Sequence, residues 1–201
     1  MANTEEAGSS LAGGAAGGLR RPNAQFTHLG FQVTDLEGMI AFYTGVIGLV
    51  VTDRGPYYRG GEIAFLSRNP AEHHQVVFAS GRPPGMPTII NQLSFIVDDL
   101  EDLREFHRVV VEEKVKDLAP RNHGNAWSIY FVDPEGNRIE LYTPSPWHVG
   151  QPYGRPLDLT AAADDIRKLT LDMIRNDPTF TTREAWEATM TARIRGGGVA
   201  R

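Results

Sequence analysis

The 201-residue chain contains no cysteine, which removes a disulfide framework, a thiolate metal site and a cysteine nucleophile together. It also lacks an excess of positive charge. Twenty Lys and Arg stand against 25 Asp and Glu, a formal net charge of -5, so a broad phosphate-backbone surface for nucleic acid is not expected. No apolar run suits a bilayer: the longest, Gly38 to Val51, is broken by glycine and threonine. The opening Met-Ala-Asn-Thr-Glu-Glu has no basic stretch ahead of an apolar one, so no secretory signal is read and a soluble, cytoplasmic protein without a membrane partner is the expectation. No Gly-x-Ser-x-Gly elbow, Gly-x-Gly-x-x-Gly turn or Walker loop follows a strand-like segment, which removes the common nucleophile and phosphate-loop chemistries.

What is present is an ordinary globular balance, 41% hydrophobic and 22% charged. Residues 1–22 are rich in glycine and alanine and read as a flexible leader. Residues 23–146 carry both strand-like and helix-like periodicity. From 147 to 201 an extended arm with Pro152 and Pro156 precedes two amphipathic helices. Their apolar stripes run Ile166, Leu169, Met173, Ile174 and then Trp186, Met190, Ile194, with a break at Asp177-Pro178. Those stripes are expected to pack on the domain or on a second subunit, and a homodimer fits them.

The central region is duplicated. Displaced by 64 positions, residues 28–42 match residues 92–106 at seven of fifteen places, among them Leu29/Leu93, Phe31/Phe95, Asp35/Asp99 and Phe42/Phe106. Each copy, residues 23–84 and 85–146, begins with an alternating apolar strand (Leu29, Phe31, Val33; Leu93, Phe95, Val97). A capping aspartate follows, then helical spacing at Leu36, Met39, Ile40, Tyr43 or at Leu100, Leu103, His107, Val110. About three further strands complete each unit, including Ile63–Ser67, Gln75–Ala79, Trp127–Val132 and Arg138–Thr143, with Asp133-Pro-Glu-Gly136 as a turn. The expected fold is α+β: two paired βαβββ modules forming a curled mixed sheet around a shared cleft, with a C-terminal helical extension.

Strand parity selects the cleft-facing residues. His28 and Gln92 oppose the apolar sets of their strands, and Glu140 shares a face with Tyr142 while Ile139 and Leu141 share the other. A carboxylate between apolar neighbours needs a partner or a metal. By the same offset Val76 is the counterpart of Glu140, with His74 two residues earlier and His73 turned away.

These residues resemble a known family. The paired modules, and the run His123-Gly-Asn-Ala-Trp-Ser-Ile-Tyr130-Phe-Val-Asp133-Pro134-Glu-Gly136-Asn-Arg-Ile-Glu140, are similar to the vicinal oxygen chelate superfamily and, within it, to the extradiol ring-cleavage dioxygenases. His74-Gln-Val-Val-Phe78 resembles that group's strand bearing an acid/base histidine. The resemblance implies a divalent metal on His28, Gln92 and Glu140, with Fe2+ favoured over Mn2+, Ni2+ or Zn2+ and His74 as the other possible third ligand. It implies His74, His123 and Tyr130 as catalytic groups, and O2 with a catechol-like aromatic diol as substrates. Gln92 departs from the extradiol pattern, which has histidine there, whereas glyoxalase-type members use glutamine as a ligand. Two alternatives stay open: a redox-inert-metal isomerase, epimerase or lyase, and a metal-free protein that binds an aromatic compound.

Overall fold

The computed structural model describes residues 24–195; the expected leader lies outside them. The first module consists of β1 (Leu29–Val33), α1 (Leu36–Gly45), β2 (Val50–Pro56), β3 (Glu62–Ser67) and β4 (Val76–Ser80). The second repeats it as β5 (Leu93–Ile96), α2 (Leu100–Glu112), β6 (Lys116–Asn122), β7 (Ala126–Val132) and β8 (Arg138–Pro144). The strand orders are β1-β4-β3-β2 and β5-β8-β7-β6, and in each sheet the first strand runs parallel to the last while the rest are antiparallel. The duplication read from the sequence is thus a duplication of topology.

Local chemistry sets the boundaries. Asp35 and Asp99 cap α1 and α2, each accepting through Oδ1 from the amide three residues on, Gly38 N and Asp102 N at 3.0 Å. Asp133 organises the turn before β8 by accepting from the amides of Glu135 (3.0 Å) and Asn137 (2.8 Å), and Gly136 takes the positive φ of 81° that the turn requires.

The apolar faces of the two sheets share one core. α1 lies on the first sheet, and its Tyr43 ring meets both Phe78 of β4 and Phe95 of β5, at centroid distances of 4.9 and 6.5 Å. Its hydroxyl donates to Asp133 Oδ2 at 3.1 Å, and burial together with that carboxylate pushes the Tyr43 pKa up. α2 lies on β7 and β8, and a continuous cluster runs from Val33, Met39 and Phe78 through Leu103 to Ile129, Phe131 and Leu141. Glu135 ties the modules at the rim: Oε1 accepts from the amides of Thr34 and Asp35, and Oε2 pairs with Arg82 Nη1 at 3.0 Å. On β5, β7 and β8 the polar residues Ser94, Tyr130 and Glu140 alternate with the apolar ones that enter this core.

The C-terminal segment continues as β9 (Trp147–His148), β10 (Arg155–Pro156), α3 (Ala163–Ile174), β11 (Thr181–Thr182) and α4 (Arg183–Arg195). β10 extends the second sheet by pairing with β6, and β11 pairs with β9. α3 buries Ala163, Ile166, Thr170 and Ile174, so Ile166 and Ile174 of the expected stripe pack inward while Leu169 is 54% exposed, because the buried face runs along 163, 166, 170 and 174. α4 differs: it buries no residue among the described ones, Ile194 is 75% exposed, and Trp186 stacks on the His148 ring at 4.8 Å. No helix among the described residues is long and apolar enough to cross a membrane.

Candidate metal and proton-transfer site

Register on the second sheet builds the site around Glu140. β8 is central, so Glu140 lies directly opposite Ser94 on β5 and directly opposite Tyr130 on β7. Oε2 accepts from Ser94 Oγ at 2.6 Å and from Gln92 Nε2 at 3.0 Å, while Oε1 accepts from Tyr130 Oη at 2.5 Å. Three donors thus hold a carboxylate that is only 8% exposed, which answers the cost of placing it between Ile139 and Leu141. Gln92 Nε2 also donates to Ser94 Oγ at 3.1 Å, leaving its amide oxygen clear of this network. Ser94 is a member that strand parity could have found, as the cross-strand neighbour of Glu140, and sequence reading missed it.

Tyr130 connects this carboxylate to His123. The phenol oxygen lies 3.0 Å from His123 Nε2, and the Arg138 guanidinium sits over the Tyr130 ring at 4.3 Å. Burial first, then the bond to Glu140, pushes the tyrosine pKa up, so the hydroxyl keeps its proton and acts as a donor. Arg138 does not pair with Glu140. Ser128, two residues before Tyr130, is fully buried with an unpartnered hydroxyl.

His28 and His74 form a second group on the first module. Their rings touch edge-on at a centroid distance of 4.3 Å, and His28 Nδ1 lies 2.9 Å from Thr27 Oγ1. Partial burial first, then the neighbouring His28 and His73, holds the His74 pKa below the ordinary imidazole value. His73 does not turn away: its Nδ1 lies 2.9 Å from His74 Nδ1 and its Nε2 lies 3.0 Å from Asp53 Oδ2. The reason is that β4 begins only at Val76, so His73 and His74 lie in irregular chain where two-residue alternation does not apply. The counterpart of Glu140 also moves by one residue. Gly30, which matches Ser94, opposes Val77 rather than Val76, so an apolar side chain occupies the position that Glu140 takes in the second module.

The candidate residues therefore form two groups, Gln92–Ser94–Glu140–Tyr130–His123 and His28–His74–His73–Asp53. Among the described residues no cluster of three His, Asp or Glu side chains is disposed to hold one ion. A cleft of about 540 Å3 between the modules, lined by Arg68, Phe95, Asp98 and Phe106 among others, contains neither group. Gln92 meets Glu140 through its amide nitrogen, while His28 immediately precedes β1 of the first sheet.

Comparison with known proteins accords with this architecture. Residues 25–141 match the family model of the Glyoxalase/Bleomycin resistance protein/Dioxygenase superfamily. Over 123 residues the chain is 27% identical to biphenyl-2,3-diol 1,2-dioxygenase 2 of Rhodococcus globerulus, a match covering 58% of this chain and 61% of that protein. Over 122 residues it is 29% identical to metapyrocatechase of Pseudomonas sp. (strain CF600), covering 59% and 38%. The chain thus spans less than two thirds of these relatives. A glyoxylase/bleomycin resistance protein/dioxygenase domain from Frankia sp. EAN1pec has the same fold at a TM-score of 0.53 and 18% identity, covering 61% of this chain and 99% of the domain. By its paired modules and by this match over more than half its length, the chain belongs to the glyoxalase, bleomycin resistance protein and dioxygenase superfamily.

Proposed function

We propose that the protein is an extradiol-type dioxygenase that opens a catechol-like aromatic diol with O2. In this reading it works as a homodimer in which His28 and His74 of one copy face Gln92 and Glu140 of the other. The observation that carries the reading is the Glu140–Tyr130–His123 chain on facing strands. It sets a carboxylate, a phenol and an imidazole within hydrogen-bond reach, as proton transfer around a bound diol requires. Names of sequence relatives, a biphenyl-diol dioxygenase and a metapyrocatechase, point to the same substrate class. Support for the paired copies comes from the separation of the candidate donors into two groups, one on each module, which a twofold axis would join in unlike halves twice. Ile96, 63% exposed beside Ser94 on β5, is apolar surface that such pairing covers. Fe2+ is the favoured metal, with Mn2+, Ni2+ or Zn2+ as alternatives. Tyr130 would donate to a substrate oxygen and His74, which carries no charge near neutral pH, would accept a proton.

A second reading, a redox-inert-metal isomerase, epimerase or lyase, is favoured by one residue: Gln92 stands where the extradiol pattern has histidine, and an amide oxygen suits harder metals. The test is anaerobic reconstitution with Fe2+, repurification, metal analysis and oxygen-electrode assays on a panel of catechols. Bound iron with catechol-dependent oxygen uptake supports the dioxygenase; bound metal without uptake transfers the case to the second reading. Mixing His28→Ala with Glu140→Ala protein through a refolding step tests the pairing. Metal binding regained in the mixture, and absent from either variant alone, supports a shared site; none regained refutes it.

A further inference from the structure

The C-terminal arm, beyond the family match that ends at residue 141, reaches the Tyr130–Glu140 network through His123. His123 Nδ1 lies 2.7 Å from the carbonyl oxygen of Tyr153. A carbonyl only accepts, so Nδ1 carries the proton, and in a neutral imidazole the other nitrogen is then bare. That bare Nε2 is the atom 3.0 Å from the Tyr130 hydroxyl. Gln151 joins the two segments: its Nε2 donates to the His123 carbonyl at 2.9 Å and its Oε1 accepts from the Tyr153 amide at 3.0 Å. On the other side of the contact, β10 pairs Arg155 with Asn122 and Pro156 with Arg121, fixing the arm beside the residues that lead into His123.

We propose that this arm is a working part of the site, with Gln151 and the Tyr153 carbonyl as positioning elements that fix the His123 tautomer and so the direction of the hydrogen bond between Tyr130 and His123. With Nδ1 protonated, His123 can only accept from Tyr130. With the proton on Nε2 instead, it would donate toward the phenol oxygen and could receive nothing from it. The tyrosine proton therefore faces two acceptors, Glu140 Oε1 at 2.5 Å and His123 Nε2 at 3.0 Å. When Glu140 turns to another partner, the Tyr130 hydroxyl keeps an acceptor by donating to His123 Nε2. The tautomer assignment stands on the arm's geometry alone, while its use in turnover rests on the dioxygenase reading above.

The experiment uses the full chain labelled with 15N at histidine, with long-range proton–nitrogen spectra and the His123 signals assigned by their loss in His123→Gln. The parent protein is expected to show Nδ1 protonated and Nε2 bare. Gln151→Ala, its folding checked by circular dichroism, is expected to shift His123 toward the Nε2-protonated form and to lower kcat for catechol-dependent oxygen uptake about tenfold with KM little changed. Gln151→Glu, which keeps the acceptor for the Tyr153 amide, is expected to fall between them, and it serves in place of Gln151→Ala if that variant does not fold. A parent spectrum with Nε2 protonated, or both nitrogens protonated, overturns the assignment, as does an unaltered spectrum in Gln151→Ala. A changed tautomer with unchanged kcat overturns the role in turnover. If the parent consumes no oxygen with any catechol, the dioxygenase reading fails while the spectra still decide the tautomer.

Discussion

Tyr130 and Glu140 stand directly opposite each other on β7 and β8, and the phenol donates to Oε1 of the carboxylate at 2.5 Å. The ring itself is packed, 7% exposed beneath the Arg138 guanidinium, so removing only the oxygen separates chemistry from packing. Tyr130→Phe is expected to keep the fold by circular dichroism and to lower turnover of a catechol substrate about 100-fold, the usual scale for a lost proton donor. Unchanged turnover would place this tyrosine outside the reaction.

The Glu135–Arg82 pair answers a different question, how the two modules are held in register. Its side chains are 8% and 10% exposed, and Glu135 also accepts from two backbone amides at the start of α1. Glu135→Ala leaves the buried Arg82 guanidinium without its carboxylate, with the Met86 carbonyl still accepting from Nη2, and takes the acceptor from two amides. A loss of about 3 kcal/mol is expected in urea unfolding, well above that for any exposed pair such as Arg108–Glu105. A loss within error of the exposed pair would mean that solvent reaches this contact.

Much of the fold was legible in the sequence because the duplication repeats its punctuation. Asp35 and Asp99 cap matching helices, and the alternation Leu29-Phe31-Val33 recurs as Leu93-Phe95-Val97. Of the site, the face of Glu140 was legible for the same reason. What escaped depended on contacts that no local period encodes. His73 lies outside the strand where parity holds, the register placing Val77 opposite Gly30 shifts by one residue, and Glu135 acts across a hundred residues of chain.

Gly124 follows His123 immediately and has a φ of +72°, where a side chain is strained. A Cβ there would fall 2.5 Å from Val149 Cγ1 and 3.0 Å from Ile174 Cγ2, both in the buried seam between the loop and the tail. Gly124→Ala is expected to destabilise by about 2 kcal/mol in denaturant titration. It should also broaden or move the His123 ring signals, because the displaced segment carries that histidine. A neutral effect on both would show that the tail yields freely.

Acid sensitivity follows from His107 on α2 and His148 on β9, whose pKa values burial holds below the ordinary imidazole value. The unfolded chain then binds protons more readily than the folded one. Their contribution is present above the unfolded pKa of about 6.5 and is lost as pH falls through the lower folded values. The urea midpoint is expected to drop between about pH 7 and about pH 5, and His107→Gln should flatten that slope. Asp158 partly offsets the effect at His107, so the same titration in His107→Gln/Asp158→Asn should show no further change. An equally steep slope in His107→Gln would assign the acid loss to other groups.

Thr170 shows why the tail cannot be treated as an appendage. Its Oγ1 accepts from Asn122 Nδ2 and from Trp127 Nε1, both at 2.8 Å, and donates to the Ile166 carbonyl at 2.7 Å. Asn122 ends β6 and Trp127 is the second residue of β7, so one fully buried hydroxyl on α3 satisfies two donors on the strands that frame His123. Thr170→Val preserves shape but leaves both donors unpaired in the core, which costs about 2 kcal/mol or more. Thr170→Ser keeps the hydroxyl and is expected to lose only the packing of one methyl group, about 1 kcal/mol. If Val is tolerated as well as Ser, the hydrogen bonds are not what joins α3 to the second sheet. If Val is the worse by the expected margin, proteolysis within residues 157–180 should open the domain around His123 rather than simply trim the chain.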